Sequence, residues 1–516
     1  MSLINIKNLT FAYPGSYDNI FTDVSLALDT DWRLGFCGRN GRGKTTFLRL
    51  LCGGYEYSGS ILTSVEFDYF PPGVSNPQDN TRDVLAELAP EAELWQLQKE
   101  LSKLAVDEGA LYRPFNTLSN GEQTKALLAG LFLRENNFLL IDEPTNHLDM
   151  EARKIVARYL KAKPGFILVS HDRAFLDECV DHVLSINRSG IEVISGNFST
   201  WWEQKARRDA FELAQNERLQ ADIQRLKYAA KKRNEWVCKA EKSLKKKSNS
   251  KAAEHEDINT ADQSRLIAKA AKLQHNLERR QNEALEEKSG LLKNLERADV
   301  LKLRPEAYHA QTLITLCGVS ISYGAKEAVR NVNLTLKRGG RIALQGGNGS
   351  GKSSILKAIT GSGLVTVAVT KPDPARAAML QAGRVDIGSR LKISYVPQDA
   401  SYLSGSLSDY AASQEIDETL FKAILSKLDF SKQQFDKDMA DFSAGQKKKV
   451  LIAASLATRA HVYIWDEPLN YIDVFSRIQI EELILACKPT MIFVEHDRAF
   501  CDRVATETVN LVINDK

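Results

Sequence analysis

The feature that most restricts this chain is an ordered series of short motifs that occurs twice. Gly38-x-x-x-x-Gly43-Lys44-Thr45 follows the apolar run Leu34 to Cys37 and leads into a helix-forming stretch, and Gly346-x-x-x-x-Gly351-Lys352-Ser353 stands in the same position in the second series. Next come Leu118-Ser119-Asn120-Gly121-Glu122-Gln123 and Phe442-Ser443-Ala444-Gly445-Gln446. Apolar runs then end in Asp142-Glu143-Pro144 and Asp466-Glu467-Pro468, and further apolar runs end in His171 and His496. Ser119 to Ser443 and Asp142 to Asp466 are both offsets of 324 residues. A fixed offset across an ordered series means one α/β fold used twice.

The residue types point to phosphate chemistry. A strand running into a glycine loop and then a helix lets backbone N–H groups close on phosphate oxygens. Gly38, Gly41 and Gly43 with Asn40, and Gly346, Gly349 and Gly351 with Asn348, are the candidates for those loops. Lys44 and Lys352 supply charge, Thr46 and Ser354 supply neighbouring hydroxyls, and Thr45 and Ser353 are placed to hold Mg²⁺ together with Asp142 and Asp466. Glu143 and Glu467 are placed to polarise the water that attacks a γ-phosphate, with His171 and His496 contacting the same phosphate. Tyr13 and Tyr323 precede Gly38 and Gly346 by 25 and 23 residues. A strand tyrosine usually just packs, but the recurrence favours stacking on adenine.

Between the two series lies a charged, glycine-poor segment from about Trp201 to Ala298. Ile223, Leu226, Ala230, Val237, Ala240 and Leu244, and later Leu266, Ala270, Leu273, Leu277, Ala284, Leu291, Leu295 and Ala298, step by threes, fours or heptads, which predicts two helices folded back on one another. The pattern lapses from Ser248 to Ser264, where turn and cap residues gather. A first helix of roughly 45 residues would carry that break on the order of 65 Å from its flanking domains. Eleven Lys or Arg against two acids between Arg225 and Lys251 give +9, where the whole chain is only +3. A solvated coiled-coil face is the plain explanation of such charge; its one-sidedness suits nucleic-acid phosphates. The candidate contacts are Lys231, Lys232, Arg233, Lys245, Lys246, Lys247 and Lys251 for phosphates, with Trp236, His255 and Ile258 for stacking or wedging near bases.

The start of the chain has no basic region followed by an apolar stretch, and no run of 18 apolar residues occurs, so neither a signal peptide nor a membrane span is expected. Seven cysteines without a C-x-x-C pair indicate neither a disulfide framework nor a zinc ribbon. The expectation is a soluble, cytoplasmic protein divided into domains 1–199, 200–304 and 305–516.

With these residues in order, the chain resembles the ATP-binding-cassette superfamily. Two cassettes joined by a charged helical hairpin, without a membrane domain, resemble the ABC-F translational ATPases in particular. The resemblance implies two ABC-type ATPase domains that close head to tail over two ATP molecules with Mg²⁺. Site one would combine Lys44, Thr45, Asp142, Glu143 and His171 with Ser443 and Gly445. Site two would combine Lys352, Ser353, Gln398, Asp466, Glu467 and His496 with Ser119 and Gly121. Glu122 and Gln446 of the signature motifs are expected among the ATP contacts.

Within ABC-F, the long basic linker is similar to that of the antibiotic-resistance branch of Lsa and Vga type. Pro72 to Ser119 spans 47 residues and Gln398 to Ser443 spans 45, which leaves no room for the extra arm of many housekeeping members. This resemblance implies entry of the hairpin into the ribosomal exit-tRNA site, near large-subunit rRNA and peptidyl-site tRNA. There it would protect the peptidyl-transferase centre from lincosamides, pleuromutilins and group A streptogramins. A housekeeping translation factor or ribosome-assembly ATPase is the main alternative, and a transporter ATPase subunit a further one.

Three departures from the pattern fall on site one under the head-to-tail scheme. Pro72 stands where the second cassette has Gln398, Phe442 where the first signature has Leu118, and Tyr471 where the first cassette has His147. Proline cannot replace glutamine as a ligand near Mg²⁺, so the two sites are expected to be unequal.

Overall fold

The computed structural model describes residues 2–15, 19–187, 190–212, scattered helical positions between 214 and 279, and residues 303, 305–323, 326–361, 366–367 and 379–511. It contains two compact units: residues 1–186, 190–199 and 298–516 form one, and residues 187–189 and 200–297 the other.

Each half of the first unit is built on a mixed pair of sheets. In the first half, β1 (Leu3–Phe11), β2 (Phe21–Asp29) and β4 (Ser58–Leu62) form an antiparallel sheet in the order β2-β1-β4. Its alternation of buried Ile4, Ile6, Leu9 and Phe11 with exposed residues is the pattern of a sheet covered on one face. The central sheet has the order β5-β6-β7-β3-β8-β9, with β3 (Arg33–Cys37), β5 (Glu66–Phe70), β6 (Asn137–Asp142), β7 (Phe166–Val169), β8 (His182–Asn187) and β9 (Gly190–Ser195). Strands β5, β6, β7, β3 and β8 pair in parallel, and the inner strands β6, β7 and β3 are buried along nearly their whole length and read as apolar runs. Phe36 on β3 packs edge-on against Phe47 of the helix Lys44–Leu51 at 5.4 Å, both fully buried, each contributing about 2–3 kcal/mol through burial.

The second half repeats this design. Strands β10 (Thr312–Tyr323), β11 (Lys326–Lys337) and β14 (Met379–Ile387) form the antiparallel sheet. The central order is β13-β15-β16-β17-β12-β18, with β12 (Arg341–Gln345), β13 (Thr366–Val367), β15 (Lys392–Val396), β16 (Val462–Asp466), β17 (Met491–Val494) and β18 (Glu507–Asn510). The run β5-β6-β7-β3-β8 thus matches β15-β16-β17-β12-β18 strand for strand. Asp142 pairs in register with Val169 and Asp466 with Val494, which sets both acids at the carboxyl ends of strands, where open α/β sheets place their ligand crevices.

Between β5 and the signature helix, residues Asn120–Leu131, lie the helices Thr81–Leu88 and Leu94–Lys103; Leu407–Ser413 and Glu418–Lys427 hold the same place in the second half. Glu100 fixes the first of these insertions to the core. Its buried carboxylate accepts from Tyr159 at 2.6 Å, Lys163 at 2.5 Å and Lys103 at 2.6 Å.

In the second unit, residues 200–212 are helical, and Lys231 and Lys232 are helical and exposed. Arg233, Trp236, Lys245, Lys246, Lys247, Lys251, His255 and Ile258, and the lapse from Ser248 to Ser264, lie outside the described residues. Among the described residues, no helix is long and apolar enough to cross a membrane.

Candidate functional site

The two glycine loops take the shape that the sequence requires of them. Gly43 and Gly351 close the loops at φ 91° and 84°, in the left-handed region open to glycine. A Cβ on Gly351 would lie 2.1 Å from Val329 Cγ2, so this position also demands the absence of a side chain. Lys44 Nζ donates to the carbonyls of Gly38 at 2.7 Å and Arg39 at 3.1 Å, and Lys352 Nζ donates to Gly346 and Gly347, both at 2.8 Å. Burial draws both lysines below the ordinary range. Each ammonium is therefore held inside its loop by main-chain oxygens, where phosphate would meet it.

At the neighbouring strand end, Thr45 Oγ1 donates to Asp142 Oδ2 at 2.8 Å, and Tyr69 donates to the same oxygen at 2.8 Å. In the second half, burial pushes Asp466 up to about 6 although Ser353 hydrogen bonds to it, and its Oδ1 is buried without a hydrogen-bond partner. A hydroxyl beside an underused buried carboxylate is a hard-oxygen donor pair that suits Mg²⁺. With the glycine cradle and the loop lysine beside it, the residues present fit ATP with Mg²⁺.

Glu143 and Glu467 both adopt left-handed backbone, at φ 51° and 47°, which a glutamate takes up only when its surroundings impose it. Their amides donate to the carbonyls of Val169 at 2.9 Å and Val494 at 3.0 Å, which anchors the turn that aims the carboxylates. Glu143 Oε1 lies 3.2 Å from His171 Nε2, and Glu467 Oε1 lies 3.3 Å from His496 Nε2. From there the two differ. Burial, followed by repulsion from Asp142, raises Glu143. Burial also opposes ionisation of Glu467, but His496 and a hydrogen bond from Gln398 outweigh it, and Asn470 Nδ2 donates to Oε2 at 2.7 Å. Pro72 offers no such hydrogen bond to the first site.

Two clefts gather these groups, and each draws on both halves. One, of about 610 Å³, brings Tyr323, Asn348, Gly349, Gly351, Lys352, Ser353, Ser354, Gln398, Glu467 and His496 of the second half against Ser119, Asn120 and Gly121 of the first. The other, of about 500 Å³, brings Tyr13, Asn40, Gly41, Gly43, Lys44, Thr45, Thr46, Asp142, Glu143 and His171 against Ser443, Gly445 and Tyr471. Tyr13 and Tyr323 are 39% and 48% exposed, which leaves ring surface free for a base; their hydroxyls meet Thr46 at 2.7 Å and Ser354 at 3.2 Å.

Glu122 and Gln446 line neither cleft. Glu122 Oε2 accepts from Ser119 N at 2.8 Å and from Ser119 Oγ at 2.7 Å, and Gln446 Oε1 accepts from Ser443 N at 2.8 Å. Both close capping boxes, so their role is to hold the signature serines at helix starts. Gly38 and Gly346 likewise serve through their carbonyls, each accepting from its loop lysine.

Cross-cassette contacts that the motifs did not reveal complete the arrangement. Asn40 Nδ2 donates to Tyr471 O at 2.9 Å, and a Cβ on Gly445 would lie 2.5 Å from that same carbonyl, so loop, signature and Tyr471 meet too closely for a side chain at Gly445. Asn348 N lies 3.5 Å from Asp149 Oδ2 across the other seam. Buried Arg153 binds Thr145 O at 3.1 Å, Leu148 O at 3.0 Å and Asp172 Oδ2 at 2.8 Å within the first half, and His496 O at 3.1 Å in the second. Arg153 has no motif spacing to betray it; its only sequence signal is that Arg477 recurs 324 residues later.

The ABC transporter description matches this chain at residues 21–146 and again at 329–470, the two stretches that carry the loops, signatures and acid pairs. The chain belongs to the ABC transporter family. Its ABC ATP-binding domains occur in two copies, and it is an ATPase. The ATP-binding protein Uup of Caulobacter vibrioides is 26% identical over 95% of this chain and 74% of its own length. The energy-dependent translational throttle protein EttA of Escherichia coli K12 is 24% identical over 95% and 89%. The ribosome protection protein VmlR of Bacillus subtilis is 25% identical over 99% and 87%. These relatives are ABC-F proteins. Among solved structures, RNase-L Inhibitor shares the fold at a TM-score of 0.61 and 19% identity, covering 98% of this chain and 87% of that one.

Proposed function

We propose that this chain is a cytoplasmic, ribosome-associated ABC-F ATPase of the antibiotic-resistance branch, of Lsa and Vga type. The observation that carries the reading is the pair of composite clefts, each completed by the other cassette, in a chain whose sequence between the cassettes carries a local excess of nine positive charges. ATP-driven closure of such a pair is a work stroke, and a basic segment between the cassettes is suited to deliver it to RNA. The similarity to a ribosome protection protein over 99% of the chain supports this reading. So does the matched pair of short helices before each signature, which leaves no added arm in the first cassette.

Bound ATP with Mg²⁺ supplies the phosphoanhydride and the charge neutralisation. The loop amides, Lys44 and Lys352 orient the phosphates. Thr45 with Asp142, and Ser353 with Asp466, would hold the Mg²⁺ through their side-chain oxygens. Glu143 and Glu467 draw a proton from the attacking water, steadied by His171 and His496. Closure carries the linker into the exit-tRNA site, where Lys231, Lys232, Arg233, Lys245, Lys246, Lys247 and Lys251 meet phosphates of large-subunit rRNA and peptidyl-site tRNA. Trp236, His255 and Ile258 approach the peptidyl-transferase region, and bound drug leaves. Hydrolysis then releases the protein.

The test is expression in a drug-sensitive bacterium, with inhibitory concentrations measured for a lincosamide, a pleuromutilin and a group A streptogramin. Wild type raises them; a variant with Lys245 through Ile258 replaced by a short Gly-Ser turn does not, although its ATPase activity persists. In parallel, Glu143→Gln with Glu467→Gln pellets with ribosomes in ATP more fully than wild type. A housekeeping translation factor is the second reading, favoured by the similarity to EttA; it predicts ribosome pelleting with no change in any inhibitory concentration.

A further inference from the structure

The cassettes are built alike, yet the two seams between them are not. Matched contacts fix the register: Asp149 and Asp473 cap equivalent helices, Met150–Lys161 and Val474–Cys487. Four residues on, Arg153 and Arg477 turn Nε onto Leu148 O at 3.0 Å and Ile472 O at 2.9 Å. Four residues further stands Ala157 in the first cassette and Glu481 in the second.

Glu481 has no solvent exposure and lies between two arginines, one from each cassette. Arg173 of the first donates to Oε2 at 2.6 Å, and Arg503 of the second lies 2.5 Å from Oε1. Arg173 opens the helix that follows His171 and Asp172, so this bridge ties the histidine loop of site one to the opposing cassette. At the other seam, the counterpart of Arg173 is Arg498, which lines a cavity of about 260 Å³ together with Ala157. Arg498 pairs with Asp502 of its own helix at 3.5 Å, and both side chains are largely exposed.

A carboxylate withdrawn from water is stable only while its countercharges stay close, and removing one of them is strongly destabilising. Parting the cassettes at the first seam takes Arg173 from Glu481; parting them at the second takes Arg153 from the main-chain oxygen of His496 but, among the described residues, separates no buried carboxylate from its countercharge. We propose that Arg173, Glu481 and Arg503 form a one-sided latch that keeps the cassettes engaged beside site one whatever nucleotide is bound, so that they open, and exchange nucleotide, at site two. None of the three lines a nucleotide cleft, and Arg173 and Glu481 act as positioning residues through the His171 loop. The latch depends on the ATPase cassettes alone and stands apart from what the linker does.

Hydrogen exchange of the full-length chain without nucleotide, read together with ATPase kinetics, tests this. In wild type, segments 173–179 and 474–487 exchange more slowly than their counterparts 498–504 and 150–161. Glu481→Gln raises exchange of the first pair about tenfold and leaves the second pair unchanged. Ala157→Glu places a carboxylate at the position equivalent to Glu481, in the cavity that Arg498 lines with Asp172 and Glu178. It slows exchange at 498–504 about tenfold and lowers kcat and KM for ATP together, because site two now opens more slowly. Adding Arg498→Ala to Ala157→Glu returns both constants to wild-type values. Equal exchange at the two seams in wild type, a loss in Glu481→Gln shared by both seams, or a slowing in Ala157→Glu that survives Arg498→Ala would each overturn the latch. If Glu481→Gln fails to fold, the Ala157→Glu pair decides alone.

Discussion

Arg153 in the first cassette donates from Nη1 to the main-chain oxygen of His496 in the second, 3.1 Å away, while the same nitrogen pairs with Asp172 at 2.8 Å. One buried guanidinium thereby joins a loop of one cassette to the histidine loop of the other. Lysine keeps the charge but cannot hold four partners in a planar fork. Arg153→Lys is expected to lower ATP turnover by about tenfold or more with ATP affinity little changed. Arg477→Lys should cost less, because Arg477 binds Ile472 O and Asp497 Oδ2 within its own cassette. Steady-state kcat and KM of the two variants make the comparison.

The unequal surroundings of the two glutamates give a second expectation. Gln398 and Asn470 support Glu467, whereas Pro72 gives Glu143 no counterpart to Gln398. Loss of a general base costs roughly 10²–10⁴ in rate. Glu467→Gln should therefore reduce turnover more than Glu143→Gln; a larger loss from Glu143→Gln would reject the assignment of site one as the weaker site.

Gly351 offers a test of the phosphate cradle. Its φ of 84° and the 2.1 Å approach of Val329 Cγ2 to an added Cβ penalise any side chain, at about 1–3 kcal/mol for the backbone alone. Gly351→Ala should weaken nucleotide binding at site two and lower the unfolding temperature of the second cassette. A fluorescent ATP analogue and calorimetry give the two readings.

Glu100 governs stability rather than chemistry. Burial opposes its ionisation, but hydrogen bonds from Lys103, Lys163 and Tyr159 hold it down to about 2, from an ordinary 4.5. A depressed carboxyl stabilises the fold fully above its unfolded value and loses that contribution as pH falls through the folded one. Glu100→Ala strands Lys163 and Tyr159 and should cost about 3 kcal/mol at pH 7. The first cassette's melting midpoint should drop by about 6–12 °C, and the gap from wild type should narrow below about pH 4.5.

What the sequence made readable was whatever recurs or alternates. The glycine loops, the acid pairs and the histidines sit at strand ends because short apolar runs precede them, and β3, β6 and β7 formed where those runs lie. Glu122 takes a capping role that its place in the signature motif does not announce, because a residue three places after a helix-starting serine serves as a cap as readily as a ligand. Arg153, Asn40 and the bridge from Arg173 to Glu481 were invisible for another reason. They join residues 343, 431 and 308 positions apart, and neither periodicity nor motif spacing carries information across such distances.

Both cassettes belong to one polypeptide, so each meets the other at an effective concentration that dilution does not change. Closure is then a first-order event, and the seam need only decide between open and shut rather than hold two free subunits together. That relaxes selection on symmetry. A tethered pair tolerates a proline at Pro72 where its twin keeps Gln398, and a lone carboxylate at Glu481 where its twin keeps Ala157, since neither change puts the partnership itself at risk.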